Sequence, residues 1–142
     1  MTAGSDNDTS TLQGWSNVVS LVGGSDTVNS THLRLSRGSH EIVFLDAGTA
    51  ASLDDLSSAT TVVVGPGSGS ASILDVARDA GFVLDLTGGV GAFTSAAGVA
   101  SALQNDGHGR MQLLLGSGPG AAVIDFVNTQ VSVLSSGHFR IG

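Results

Sequence analysis

Apolar residues come in short bursts along this chain, separated by glycine, serine, aspartate and asparagine. The bursts Val18–Val22, His32–Leu35, Glu41–Leu45, Thr61–Val64, Phe82–Leu86, Met111–Leu115, Ala122–Val127 and Phe139–Ile141 are short and rich in β-branched residues, which predicts strands. Gly23-Gly24, Arg37-Gly38, Gly65-Pro66-Gly67, Gly88-Gly89 and Gly116–Gly120 carry the turn chemistry between them. One stretch has helical period instead. Phe93, Ala96, Ala97, Ala100 and Leu103 fall on one stripe, Thr94 or Ser95 stands where an N-cap is needed, and Asn105-Asp106-Gly107 closes the pattern. Two weaker helical turns are predicted, one at Ser52–Asp55 from a capping-box pattern and one over Ser70–Ala80 from Ile73, Leu74 and Ala77.

A faint internal repeat links the strands. Val43-Phe44-Leu45-Asp46 followed by Leu56-Ser57-Ser58 is echoed by Ala122-Val123-Ile124-Asp125 followed by Leu134-Ser135-Ser136. The ending apolar-apolar-Asp returns at Ile73-Leu74-Asp75 and Val83-Leu84-Asp85, where the carboxylate can accept from turn amides two residues on. Repeated strand-and-turn units with few large side chains predict a mainly β fold, a parallel β-roll or β-solenoid with one amphipathic helix. The competing arrangement is an antiparallel β-sandwich. Residues 1–16 read as a disordered leader holding Trp15, and residues 17–142 as a single β-rich domain.

Composition narrows the functions. Five arginines and no lysine stand against twelve acids, for a net charge of −7. That balance excludes a phosphate-neutralising surface and hence nucleic acid as a partner. The absence of cysteine excludes a disulfide scaffold and thiolate metal sites. No apolar run approaches the ~20 residues of a membrane span, and no basic, then apolar, export leader opens the chain.

Candidate chemistry is sparse. Gly24-Ser25-Asp26-Thr27-Val28 matches half of the calcium nonapeptide G-G-x-G-x-D-x-U-x, which makes Asp26 the candidate ligand for Ca²⁺. A hard cation takes six to eight oxygens, so Asp26 needs neighbours to complete a shell. Val83–Leu86 running into Thr87-Gly88-Gly89-Val90-Gly91 resembles the first motif of S-adenosylmethionine-dependent methyltransferases, with Asp85, Gly89 and Gly91 in the cofactor-lining positions. The matching open α/β sheet needs alternating helices, and the strand Met111–Leu115 ends in Gly116-Ser117 rather than an acid. Val62–Ser70 followed by Asp85 imitates the dinucleotide fingerprint, with Ser70 where its last glycine belongs. His32, His40, His108 and His138 show no metal-ligand spacing, and no G-x-S-x-G elbow is present.

One resemblance spans residues 82–142. Leu84–Gly89, Phe93–Ala97, Asp106-Gly107-His108-Gly109, Leu113–Gly116, Val123–Phe126 and Val133–Gly142 resemble the C-terminal region of RTX-type, type I-secreted bacterial proteins. The resemblance implies a tail that closes a calcium-binding β-roll and carries an uncleaved export signal. It implies a type I secretion apparatus as partner and a secreted, extracellular or cell-surface location. The sequence departs from that family in lacking tandem nonapeptides. The expectation is therefore a non-enzymatic structural module of a larger secreted protein. The alternatives are an adhesin or carbohydrate-binding module that meets a surface glycan, a self-assembling surface protein, and the methyltransferase-like fragment.

Overall fold

The structure is a computed structural model and describes residues 1–4, 6–12, 16–21, 23–30, 40–45, 50–54, 59–74, 76, 81–118 and 121–142. The described chain is mainly β. In order its strands are β1 (Thr2–Ala3), β2 (Thr9–Leu12), β3 (Ser16–Leu21), β4 (Ser25–Ser30), β5 (His40–Leu45), β6 (Ala50–Asp54), β7 (Ala59–Val64), β8 (Ala71–Leu74) and β9 (Val83–Leu86). A 3-10 turn at Val90–Ala92 and the helix α1 (Ala96–Ser101) follow. The chain ends with β10 (Gln104–Asn105), β11 (Met111–Leu114), β12 (Val123–Val127), a 3-10 turn at Ser136–His138 and β13 (Phe139–Ile141).

Two sheets form. One holds six strands in the order β1-β3-β5-β7-β9-β13, and all its pairs are parallel. The other holds seven in the order β10-β11-β12-β8-β6-β4-β2. Its pairs β2–β4, β4–β6, β6–β8 and β8–β12 are parallel, and only β10–β11 and β11–β12 are antiparallel. From β1 to β9 each strand joins the other sheet from the one before it. This pairing replaces the antiparallel sandwich.

Alternation explains why the strands settle in this register. Along a strand, successive side chains point to opposite faces. In β9 the buried Leu84 and Leu86 alternate with the half-buried Val83 and Asp85, and β8, β11 and β12 alternate in the same way. Parallel pairing stacks like on like. Leu21, Leu45, Val64, Leu86 and Ile141 stand in one row across the six-stranded sheet. Ala71, Ile124 and Leu113 form a matching row in the other sheet. The two sheets share one core, which includes Val62, Leu84, Ile73 and Phe126. Burying each Leu, Ile or Phe there stabilises by about 1.5–3 kcal/mol. A slip of one residue would turn every one of these side chains outward.

Several sequence expectations change. The Ser52–Asp55 turn lies in β6 up to Asp54, and Ser70–Leu74 runs into β8 rather than a helix. Both segments gain two parallel neighbours in the ladder, which outweighs their local helical signals. The helix begins after Ser95, whose hydroxyl accepts from Gly98 N, and it stops at Ser101. Its buried residue is Val99, outside the expected stripe, whereas Ala97 is exposed. The opening strands of the repeat halves fall in different sheets, β5 in one and β12 in the other, so these strands are not equivalent, and Leu56–Ser58 lie outside the described residues. Strands β1 and β2 lie within the stretch read from composition as a leader. The expected strand His32–Leu35, Trp15, Asp46 and Asp75 lie outside the described residues. No helix among the described residues is long and apolar enough to cross a membrane.

Candidate functional site

Asp26 sits where a core residue belongs. Its register position in β4 continues through Ala51 and Ala71 to Ile124 and Leu113. The side chain is 2% exposed. A neighbouring turn supplies its contact: Asp8 N donates to Asp26 Oδ1 at 3.1 Å, and Thr27 N donates to Asp8 O at 2.8 Å. The same corner is laced by Ser25 N donating to Asn7 Oδ1 and Gly4 N donating to Asp8 Oδ2. Asp26 Oδ2 is buried with no hydrogen-bond partner among the described residues. A buried, unpaired carboxylate oxygen is costly, and a cation is one way to satisfy it. The donor type suits Ca²⁺, because hard cations take oxygen ligands. The number of donors falls short, since no group of three or more His, Cys, Asp or Glu gathers among the described residues.

The two glycine-rich motifs meet. Thr87 N donates to Val64 O at 3.0 Å, and the Thr87 hydroxyl lies 3.3 Å from the same oxygen. Between the turns opens a cleft of about 380 Å³ lined by Gly65, Pro66, Ser68, Val90, Gly91 and Leu115 among others. Ser68 is spent within the fold: its hydroxyl donates to Leu45 O at 2.6 Å and accepts from Gly65 N at 3.1 Å. Among the described residues, no titratable side chain lines the cleft. Asp85, the acid both nucleotide-type motifs need, does not line it. It stands opposite Arg140 across the β9–β13 pair, and Arg140 Nη1 lies 3.3 Å from Asp85 Oδ2. Asp85 Oδ1 is buried without a partner among the described residues. The structure therefore brings Gly65, Gly67 and Gly91 together and leaves Asp85 out.

Of the histidines, the His138 ring is seen in a structural role. His138 Nδ1 accepts from Ser135 N at 3.1 Å and closes the capping box of the 3-10 turn before β13. His108 lies on an exposed turn in which Asp106 Oδ1 accepts from His108 N at 2.6 Å and from Arg110 N at 3.1 Å. His40 opens β5, and His32 lies outside the described residues.

One arrangement escaped the sequence reading. Thr9, Thr27, Ser52, Ser72, Asp125, Gln112 and Gln104 are consecutive register partners across the whole seven-stranded sheet. Ser72, Gln112 and Asp125 alternate with the buried Ala71, Ile73, Met111, Leu113, Ile124 and Phe126, so they face away from the core. The polar alternation in Ser-Asp-Thr-Val-Asn-Ser and Ala-Ala-Ser-Leu-Asp was the available signal. Only pairing reveals that these positions align. Comparison with family models, curated proteins and solved structures finds no match for this chain.

Proposed function

We propose that this chain is a non-enzymatic structural module, a parallel β-roll with a closed C-terminal end, belonging to a secreted or cell-surface protein. One observation carries the reading. From β1 to β9 the strands alternate between two sheets, and each strand from β3 to β9 pairs in parallel with the strand two places before it. A chain that winds through two stacked sheets produces that pattern. At the other end the winding gives way to the antiparallel strands β10 and β11, and α1 packs against β13 and the Ser136–His138 turn. Capping elements of that kind stop a repeat from propagating. The cysteine-free, acidic, weakly charged composition agrees with an extracellular scaffold.

In this reading residues 82–142 correspond to the export region of RTX-type proteins, recognised by a type I secretion apparatus before folding. Asp26, with its unpartnered Oδ2, is the position at which Ca²⁺ would attach. The test is export of the full chain, carrying an N-terminal reporter, from cells with and without a type I apparatus. Apparatus-dependent export that is lost on deleting residues 134–142 is the expected result. Retention in both strains refutes the export assignment. Calcium is tested separately by a thermal melt followed by circular dichroism. A ligand at a hundred times its Kd adds about 2.7 kcal/mol to the folded state. A calcium-dependent rise in Tm that disappears in Asp26→Asn is expected, and a Tm indifferent to calcium removes the cation.

A further inference from the structure

We infer that the β1–β2 end of the two-sheet winding is an interaction surface for a second copy of this chain, with β2 pairing antiparallel to the copy's β2 across a two-fold axis at Ser10. This inference stands apart from the export assignment. The first support is the free backbone of the edge. Strand β2 ends the seven-stranded sheet and β1 ends the six-stranded one. In a parallel ladder, alternate residues turn both backbone groups toward the same neighbour. Thr27 N donates to Asp8 O at 2.8 Å, so Asp8, Ser10 and Leu12 face β4, while Thr9 and Thr11 turn their N–H and C=O groups the other way. Likewise Ser20 N donates to Met1 O at 3.0 Å, so Thr2 turns its backbone groups away from β3. Among the described residues no strand lies beyond these two. Edges are commonly blunted by lysine or proline. Residues 1–12 hold neither, and their acids Asp6 and Asp8 precede β2 rather than stand in it.

The second support is apolar surface at the same end. Val19, Val62, Leu84 and Phe139 belong to one core row of the six-stranded sheet and are at most 5% exposed. Met1, one residue before Thr2, holds the next register position of that row and is 63% exposed. Val18, whose carbonyl oxygen accepts from Met1 N at 2.8 Å, is 55% exposed. A neighbour seated on this end removes both from water.

The third support selects the occupant. With the axis at Ser10, Thr9 stands opposite the copy's Thr11, and Thr11 opposite the copy's Thr9. Hydrogen-bonded antiparallel partners exchange both of their bonds. The two free N–H and two free C=O groups of each β2 are then all satisfied, and the contact is closed and self-complementary. The far end offers no equivalent edge for head-to-tail stacking. There the sheets finish in the two-residue β10 and the three-residue β13, with α1 packed against β13.

The experiment is analytical ultracentrifugation of the full chain from micromolar to millimolar concentration, paired with amide exchange followed by NMR. A monomer–dimer equilibrium that stops at the dimer is expected. Thr11→Pro removes an N–H that the β2–β4 ladder does not use, as proline is tolerated on such an edge. It should weaken the dimer at least tenfold and leave the circular dichroism spectrum unchanged. In the unaltered chain the Thr9 and Thr11 amides should exchange more slowly as concentration rises, which keeps the test decisive if the proline variant fails to fold. Arg140→Ala, at the opposite end, should leave the dimer intact. A chain that stays monomeric throughout overturns the proposal. So does a ladder of larger oligomers, a dimer unaltered in Thr11→Pro, a dimer lost in Arg140→Ala, or exchange at Thr9 and Thr11 that ignores concentration.

Discussion

Replacing Gly88 and Gly89 by alanine, one at a time, tests how the two glycine-rich turns pack. The residues are adjacent and share a left-handed backbone, with φ of 64° and 76°. An alanine in that conformation costs roughly 1–2 kcal/mol. Part of the cost is offset, because alanine also narrows the unfolded ensemble by about 0.4–1 kcal/mol. Both variants carry these two effects equally. They differ in space. A Cβ at 89 meets nothing within 4 Å, whereas a Cβ at 88 would stand 2.7 Å from Pro66 Cγ and 3.0 Å from its Cδ. The proline ring closes on its own backbone and cannot rotate away. Its turn is in turn pinned by the Ser68 hydroxyl on Leu45 O. Overpacking of this kind costs about 1–3 kcal/mol. Gly89→Ala should therefore lose about 1 kcal/mol and Gly88→Ala about 2–4 kcal/mol. At roughly 3 °C per kcal/mol for a chain of this size, the two melting points should separate by about 3–9 °C. Thermal and urea denaturation followed by circular dichroism measure it. Equal melting points would refute the packed junction of Val64–Pro66 with Thr87–Gly88.

Two further predictions follow from other parts of the fold. Phe126 is fully buried and meets Phe82 edge-to-face, with ring centroids 6.3 Å apart at 88°. Phe126→Ala should cost about 3–5 kcal/mol and Phe126→Leu clearly less, and a urea-derived loss below 1 kcal/mol for alanine would contradict this core. The His108 backbone N–H holds the Asp106 carboxyl below its ordinary value; partial desolvation opposes this and the Arg110 N–H adds to it. Because the folded value is depressed, the turn's stabilisation is present above the ordinary value of 3.8 and is lost as pH falls through the lower folded one. The amide resonances of His108 and Arg110 should titrate below 3.8, and not at all in Asp106→Asn; a midpoint at or above 3.8 would show that these hydrogen bonds do not hold the carboxylate.

Legibility in the sequence was uneven between the two sheets. The strands β3, β5, β7, β9 and β13 of the six-stranded sheet carry Val, Leu, Ile and Phe in close succession, and all five were expected within a residue or two. In the seven-stranded sheet β11 and β12 were expected for the same reason. The strands β2, β4, β6 and β8 were not. Their sequences, such as Thr-Ser-Thr-Leu and Ala-Ala-Ser-Leu-Asp, break their few apolar residues with Ala, Ser, Thr, Asn and Asp, so no apolar burst marks them. They become strands because neighbours on both sides, or on one side for β2, offer parallel hydrogen bonds. The helix was legible from its cap and period, yet Val99 was missed, because the tertiary contact rather than the stripe selects the buried face.

The sequence alone determined what is local: a mainly β chain, corners rich in glycine and serine, one capped helix, no lysine, no cysteine, and no apolar run long enough for a spanning helix. Those properties follow from neighbours within a few residues. The tertiary structure decided which strand joins which sheet, that pairing is parallel, and where three chemical features came to lie. It set Asp26 into a core row beside Asp8, separated Asp85 from the glycine cleft and paired it with Arg140, and lined up the polar row from Thr9 to Gln104. Each depends on register between segments far apart in sequence. Register is set by the sum of buried side chains along the whole ladder, a quantity that no single stretch of the chain contains.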